Sequence, residues 1–282
     1  MSNSIFVFVY GTLRRHESNH LLLAETHLIS YQAKTRGKLF DTGFGFPAMT
    51  EDEGNVYGEL YEINQEQLHQ LDRLEGYRAD RKTNHYDRVT KHIVTDRGEF
   101  EAFVYVYSKE KASDMKFIES GDWKVYRHQQ DAQYIYFAYG SMMDDGRLKK
   151  KHINHKFQHV LGRGIVHNYE VKFTTSRDDG GRADLVEGES LTEGKAFQID
   201  SEALDYLYNR EGVAGNFYRP TFIDLEVDGK LLKDVWTFVV VNKESTEFQP
   251  PESYAREIVR GGKSILSDAY LEQLARKMGL TV

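Results

Sequence analysis

The chain repeats itself, and that limits its possible folds more than any other feature. Ile5-Phe6-Val7-Phe8-Val9-Tyr10-Gly11-Thr12 has a counterpart in Tyr134-Ile135-Tyr136-Phe137-Ala138-Tyr139-Gly140-Ser141. Each is a continuous apolar run that ends in Tyr-Gly and a hydroxyl residue. Further on, Tyr57-Gly58-Glu59-Leu60-Tyr61-Glu62-Ile63-Asn64 answers Glu193-Gly194-Lys195-Ala196-Phe197-Gln198-Ile199-Asp200. From Gly58 to Glu75 in the first copy, and from Gly194 to Glu211 in the second, the separation is the same 17 residues. Within that span Leu68 matches Leu204 and Leu71 matches Leu207. Two diverged copies of one domain are the expectation, residues 1–130 and 131–282, since a fixed internal period marks a duplicated structural unit.

Each copy reads mainly as strands. The first carries Val56–Ile63, His85–Thr95 and Glu101–Tyr107; the second carries Gly164–Phe173, Glu193–Ile199, Tyr218–Val227 and Asp234–Val241. One short helix interrupts each set, which predicts an α+β, barrel-like domain. The polar stretch Lys109–Gln133 connects the copies, with Trp123 and Tyr126 expected to pack back on the first. Pro251 and Ser267 mark the starts of two further helices in the tail, expected to serve packing.

Charge and composition exclude several classes. With 44 acidic against 37 basic residues the formal net charge is −7, the wrong sign for a nucleic-acid partner. No apolar run approaches the roughly 18 residues of a membrane span, and Met1–Ser4 has no basic leader, so a cytoplasmic chain is expected. The absence of cysteine removes disulfides, thiolate nucleophiles and thiolate metal sites.

The chemistry concentrates at a helix end. Asn64 with Gln67 forms a variant capping box, Leu68, Leu71 and Leu74 form the apolar stripe, and Gly76 suits the left-handed residue that stops a helix. Glu75 lies on that stripe, four residues after Leu71. The second copy repeats this with Asp200, Leu204, Leu207 and Glu211. A carboxylate placed there is desolvated and opposed by the helix dipole, conditions that make a proton carrier near neutral pH. The other half of a site is the turn after the first strand, Tyr10-Gly11-Thr12-Leu13 and Tyr139-Gly140-Ser141-Met142. Consecutive N–H groups in such a turn can hold an anion, with a positive φ expected at the glycine.

Together these motifs resemble the γ-glutamylcyclotransferase superfamily. The first copy is similar to its γ-glutamylamine cyclotransferase-like branch through Val7–Arg15, Asn19-His20, Val56–Tyr61, Leu71–Tyr77 and Tyr86. The second is closer to γ-glutamylcyclotransferase proper through Phe137–Ser141, Arg210–Val213, Gly215 and Tyr218. The resemblance implies two tandem mixed β-barrels that use no cofactor and no metal. It also implies a reaction in which the free α-amine of a γ-glutamyl compound attacks its own γ-carbonyl, releasing 5-oxoproline and an amine or amino acid. Glu75 and Glu211 map onto the family's acid/base residue. Tyr10, Gly11, Thr12 and Leu13, with Tyr139, Gly140, Ser141 and Met142, map onto its substrate-binding loop. Met142 stands where the γ-glutamylcyclotransferase branch has Asn, which favours the first copy as the working site. The competing expectation is a ligand-binding or interaction module that keeps the fold without turnover, above all in the second copy.

Other motifs carry less. Arg260-Gly261-Gly262-Lys263-Ser264 lacks the leading glycine of a phosphate loop, having Glu257 in its place. His152, His155 and His159 follow a run of lysines and read as a solvated basic segment. Arg14 and Arg15 could assist an anionic substrate.

Overall fold

The computed structural model describes residues 4–281, and the chain falls into two compact units that divide after Gln129. The first unit contains β1 (Ile5–Val9), β2 (His27–Asp41), β3 (Pro47–Ile63), α1 (Gln65–Leu74), β4 (Asp87–Thr95), β5 (Gly98–Val106), α2 (Lys109–Ala112), β6 (Lys116–Phe117) and α3 (Trp123–His128). The second contains β7 (Tyr134–Ala138), α4 (Asp145–Lys150), β8 (His159–Arg177), β9 (Gly180–Ile199), α5 (Ser201–Arg210), β10 (Tyr218–Val227), β11 (Lys230–Val240), α6 (Glu252–Gly262) and α7 (Asp268–Lys277).

The strand order explains the repeat. In the first unit the sheet runs β3-β1-β5-β4-β2, and β2 also pairs with β3, which brings the ring back to its start. The second unit is a closed barrel in the corresponding order, β9-β7-β11-β10-β8. In both, the first strand of the ring pairs parallel with the ring's last strand, β5 or β11, and antiparallel with its third, β3 or β9. These are two tandem mixed barrels.

Because β1 is central, both of its faces are covered, and its sequence is an unbroken apolar run rather than an alternating one. Phe8 and Tyr10 enter one core cluster with Leu39, Met49, Val104 and Trp123. Val7 and Val9 enter the other, which also receives Leu68 and Leu71 from α1. The matched glycines lie where strands approach most closely: a Cβ on Gly58 would stand 2.2 Å from the Val9 carbonyl oxygen, and one on Gly194 2.4 Å from that of Ala138.

The structure lengthens what the sequence suggests. Lys34–Thr50 and Arg177–Ser190 read as irregular pocket walls, yet they are mostly strand. The hairpins β2–β3 and β8–β9 use strands of 15, 17, 19 and 20 residues. Register shifts at Leu28/Ser30, Ser30/Ala33 and Arg36/Lys38, and again along β8–β9, break the alternation that would reveal them. Only the turn at 42–46 is irregular in the first hairpin.

Candidate active site

A cavity of about 300 Å³ lies in the first unit between the turn after β1 and the end of α1. Tyr10, Gly11, Thr12 and Leu13 line one side, and Leu74 and Glu75 another. Phe44, Phe46 and Pro47 come from the β2–β3 turn, and His85 and Tyr86 from the approach to β4. All five predicted residues of this copy therefore meet around one space.

Each wall has a local cause. Asn64 caps α1 by accepting from the Gln67 N–H at 2.9 Å while the Gln67 side chain accepts from the Asn64 N–H, a complete capping box. At the other end Gly76 has φ +65°, so the chain leaves the helix just after Glu75. The N–H of Tyr86 then donates to the Glu75 carbonyl at 3.2 Å, which ties the helix end to the start of β4. Leu74, expected in the core stripe, is instead 41% exposed and forms part of the cavity wall.

Glu75 is the one carboxyl group on the described walls of this cavity. No described residue donates a hydrogen bond to its carboxylate, and burial pushes its pKa from the ordinary 4.5 up to about 7. Tyr10 and Tyr86 are pushed upward by burial and stay protonated. Burial, helped by the Lys111 ammonium, lowers the His85 pKa, so its imidazole is neutral at pH 7. His85 is a cavity residue that the sequence reading missed; its ring packs edge-on against Tyr107 and Tyr86. Its signal was weak, a single histidine beside the recognised Tyr86.

The facing turn is held by its carbonyls. Gly11 O accepts from the Arg14 N–H at 3.0 Å and Thr12 O from the Asn19 N–H at 2.9 Å. The N–H groups of Gly11, Thr12 and Leu13 donate to no acceptor among the described residues. They are available for an anion. The Tyr10 hydroxyl anchors the turn by donating to the Tyr105 carbonyl at 2.7 Å.

Gly11 is required for a different reason from the expected one. Its φ is not positive. A Cβ there would instead lie 2.7 Å from Cγ and 2.8 Å from Cδ of Pro47, a rigid ring that cannot give way. Gly140 has more room, its nearest neighbours being Ala183 Cβ and the Tyr254 hydroxyl, both at 3.5 Å. Gly11→Ala is expected to lower stability by about 1–3 kcal/mol through overpacking, and Gly140→Ala by clearly less. Urea unfolding of the two variants checks this; equal losses would refute it.

Arg14 does not face a substrate. It is 3% exposed, donates to Glu59 at 3.3 Å and to Asp122 at 2.6 Å, and so fastens the turn to β3 and to the cap of α3. Arg15 donates from its side chain to the Tyr31 hydroxyl. The second unit fastens its turn with the charges exchanged: Arg260 of α6 donates to Asp144. Gly261 allows that packing, because a Cβ there would be 2.5 Å from the Asp144 nitrogen. The glycines of the phosphate-loop look-alike thus serve helix packing.

The second unit keeps the frame and changes the chemistry. Tyr139 donates to the Phe238 carbonyl at 2.6 Å, matching Tyr10, and Tyr218 donates to the Ala183 carbonyl at 2.7 Å, matching Tyr86 and its bond to Pro47 O. Glu211 follows α5 as Glu75 follows α1. Arg210, however, replaces Leu74, and its guanidinium donates both to Glu211 and, at 3.0 Å, to the Ser141 hydroxyl. It bridges the acid and the turn, the two features that the first cavity separates. A cavity of about 240 Å³ touches Glu211 and Arg210, but Tyr139, Gly140, Ser141 and Met142 are not among its walls. Met142 is 3% exposed and buried away from it. Ser253, Tyr254 and Glu257 of α6 line this cavity, so the tail helices do more than pack.

Comparison with known proteins agrees with this architecture. Residues 7–125 match the family described as "Gamma-glutamyl cyclotransferase, AIG2-like", and residues 192–274 match the "AIG2-like family". The chain is 42% identical over 277 residues to YkqA of Bacillus subtilis (strain 168), provisionally named a γ-glutamylcyclotransferase, with 96% of each chain covered. The crystal structure of YkqA superposes with a TM-score of 0.87 at 40% identity over 98% of both chains. A shorter relative, the γ-L-glutamyl-butirosin B γ-glutamyl cyclotransferase of Niallia circulans, is 38% identical over 124 residues, 44% of this chain and 78% of that one. Among the described residues no helix is long and apolar enough to cross a membrane.

Proposed function

The chain belongs to the γ-glutamylcyclotransferase family, and from that premise we propose that its first unit closes 5-oxoproline from a γ-glutamyl amine, with Glu75 carrying the proton. One observation carries this reading: a carboxyl group raised by burial to about 7 shares a cavity with three uncommitted backbone N–H groups. The N–H groups of Gly11, Thr12 and Leu13 would hold the substrate α-carboxylate. That fixes which way the α-amine and the γ-carbonyl face. Nucleophile and electrophile already belong to one molecule, so correct folding of the substrate can supply about 7–11 kcal/mol.

Glu75 completes the reaction as a relay. It takes a proton from the α-ammonium, the freed nitrogen attacks the γ-carbonyl carbon, and the old amide C–N bond breaks as Glu75 returns the proton to the departing nitrogen. Over the cycle the α-nitrogen loses two protons and the departing amine gains two, one through Glu75 and one through water. The carboxylate ends as it began.

The mouth of the cavity favours a leaving amine that carries no carboxylate. Phe44, 82% exposed, stacks with Phe46 at 6.3 Å between centroids, and Leu74 completes an apolar rim; no lysine or arginine is among the described walls. The test is a panel of γ-glutamyl alkyl- and arylamines, γ-glutamyl dipeptides and glutathione, with 5-oxoproline measured by mass. The amines are expected to be turned over with the higher kcat/KM. Phe44→Ala is expected to raise KM for them several-fold with kcat nearly unchanged. No 5-oxoproline from any member of the panel would leave the non-catalytic binding module as the better reading.

A further inference from the structure

The cavity of the second unit has the chemistry of an anion receptor. Four arginines line it, Arg147, Arg177, Arg182 and Arg210, against three carboxylates, Asp179, Glu211 and Glu257. Each carboxylate is already matched to one guanidinium: Arg147 donates to Glu257, Arg182 to Asp179 at 2.5 Å, and Arg210 to Glu211. Arg177 has no carboxylate partner among the described residues; its guanidinium lies over the Phe217 ring, 3.7 Å from the centroid. The walls therefore carry one surplus positive charge.

The pairs also leave donors over. A guanidinium offers five N–H groups in a planar fork. Arg147 and Arg210 each spend only part of theirs on protein acceptors, and Arg177 spends none. Their carboxylate partners hold the forks in fixed orientations, which lowers the cost of ordering them around a ligand. A hydroxyl adds to these donors. The Tyr254 oxygen accepts the Ala183 N–H at 3.3 Å, so its own O–H is left to donate. The first unit's cavity has no counterpart to any of this: glutamate, histidine and tyrosines are its titratable lining.

We propose that the second unit binds a small polyanion, a molecule with at least two carboxylate or phosphate groups, through Arg147, Arg177, Arg182, Arg210 and the Tyr254 hydroxyl. Glu211 in this unit orients Arg210 for the ligand. At about 240 Å³ the cavity suits a small molecule. Charge-assisted, bidentate bonds from arginine would set the affinity, which falls as salt screens them.

Isothermal titration calorimetry on the full chain tests this with citrate and inorganic pyrophosphate as probes and acetamide as the uncharged control. Saturable one-to-one binding of at least one polyanion, none of acetamide, and weakening from 20 to 300 mM NaCl are expected. Tighter citrate points to a polycarboxylate and tighter pyrophosphate to a phosphate ester; either supports the site. Arg177→Ala alters an exposed side chain, so folding is preserved. It is expected to weaken binding about tenfold, and Arg177→Ala with Arg182→Gln further still. Neither residue is among the walls of the first cavity, so 5-oxoproline release serves as a separate readout and its presence or absence does not bear on this result. Absence of polyanion binding, or binding unchanged in the double variant, overturns the proposal.

Discussion

Glu75→Gln is expected to lower kcat for 5-oxoproline release by about 10²–10⁴-fold, the usual worth of a positioned acid–base group, with KM little changed. Glutamine keeps the shape and cannot carry the proton. The same variant is expected to be more stable than the wild type, and this separates a strained functional acid from an ordinary structural one. The carboxyl group sits near 7 when folded against an ordinary 4.5. Below pH 4 it is neutral in both states and the substitution costs nothing electrostatic. As pH rises from there the unfolded state ionises first, so the wild type loses stability, and the loss levels off once the folded carboxyl has also ionised above pH 7. That difference amounts to at most about 3 kcal/mol. Urea unfolding at pH 4, 6 and 8.5 therefore gives curves for wild type and variant that separate as pH rises. The wild-type kcat/KM is expected to climb through the same region, because the ionised carboxylate starts the reaction. Full turnover in the glutamine variant would sink the relay assignment.

Much of this arrangement is legible in the sequence because it rests on local rules. A capping box, a leucine stripe and a glycine stop place Glu75 at a helix end without reference to the rest of the chain. The unbroken apolar run of Ile5–Val9 announces a strand covered on both sides. The long hairpin arms are not legible, since bulges reset the inward and outward alternation several times along β2–β3 and β8–β9. Residues whose meaning depends on distant partners are hidden as well. Arg14 looks like a substrate ligand until Asp122, 108 positions away, takes its guanidinium. Tyr254 and Glu257 look like ordinary positions on a tail helix until α6 brings them beside Glu211. The substitution of Leu74 by Arg210 is visible in the aligned copies, but only the contact from Arg210 to both Glu211 and Ser141 gives it consequence.

That contact leads to the sharpest comparison between the two units, Leu74→Arg. Residue 74 precedes the acid as Arg210 precedes Glu211, at the end of a helix of equal length. Position 74 is 41% exposed and at the cavity wall, so an arginine enters without overpacking the core. Its guanidinium can then reach Glu75 on one side and the Thr12 hydroxyl, the counterpart of Ser141, on the other. Two effects should compound. An adjacent cation typically lowers a carboxyl pKa by about 1–3 units, which makes Glu75 a weaker base. The side chain also fills the gap in which the substrate must lie. The expected result is a fall in kcat/KM at pH 8 of about 10²-fold and a shift of its rising limb toward acid by at least one pH unit. Leu74→Met, similar in volume and uncharged, should retain most of the activity and leave the limb in place. A loss of rate with the limb unmoved would mean that the arginine acts by obstruction alone, and that burial of an unpaired Glu75 is not what sets the chemistry of the first unit apart from that of the second.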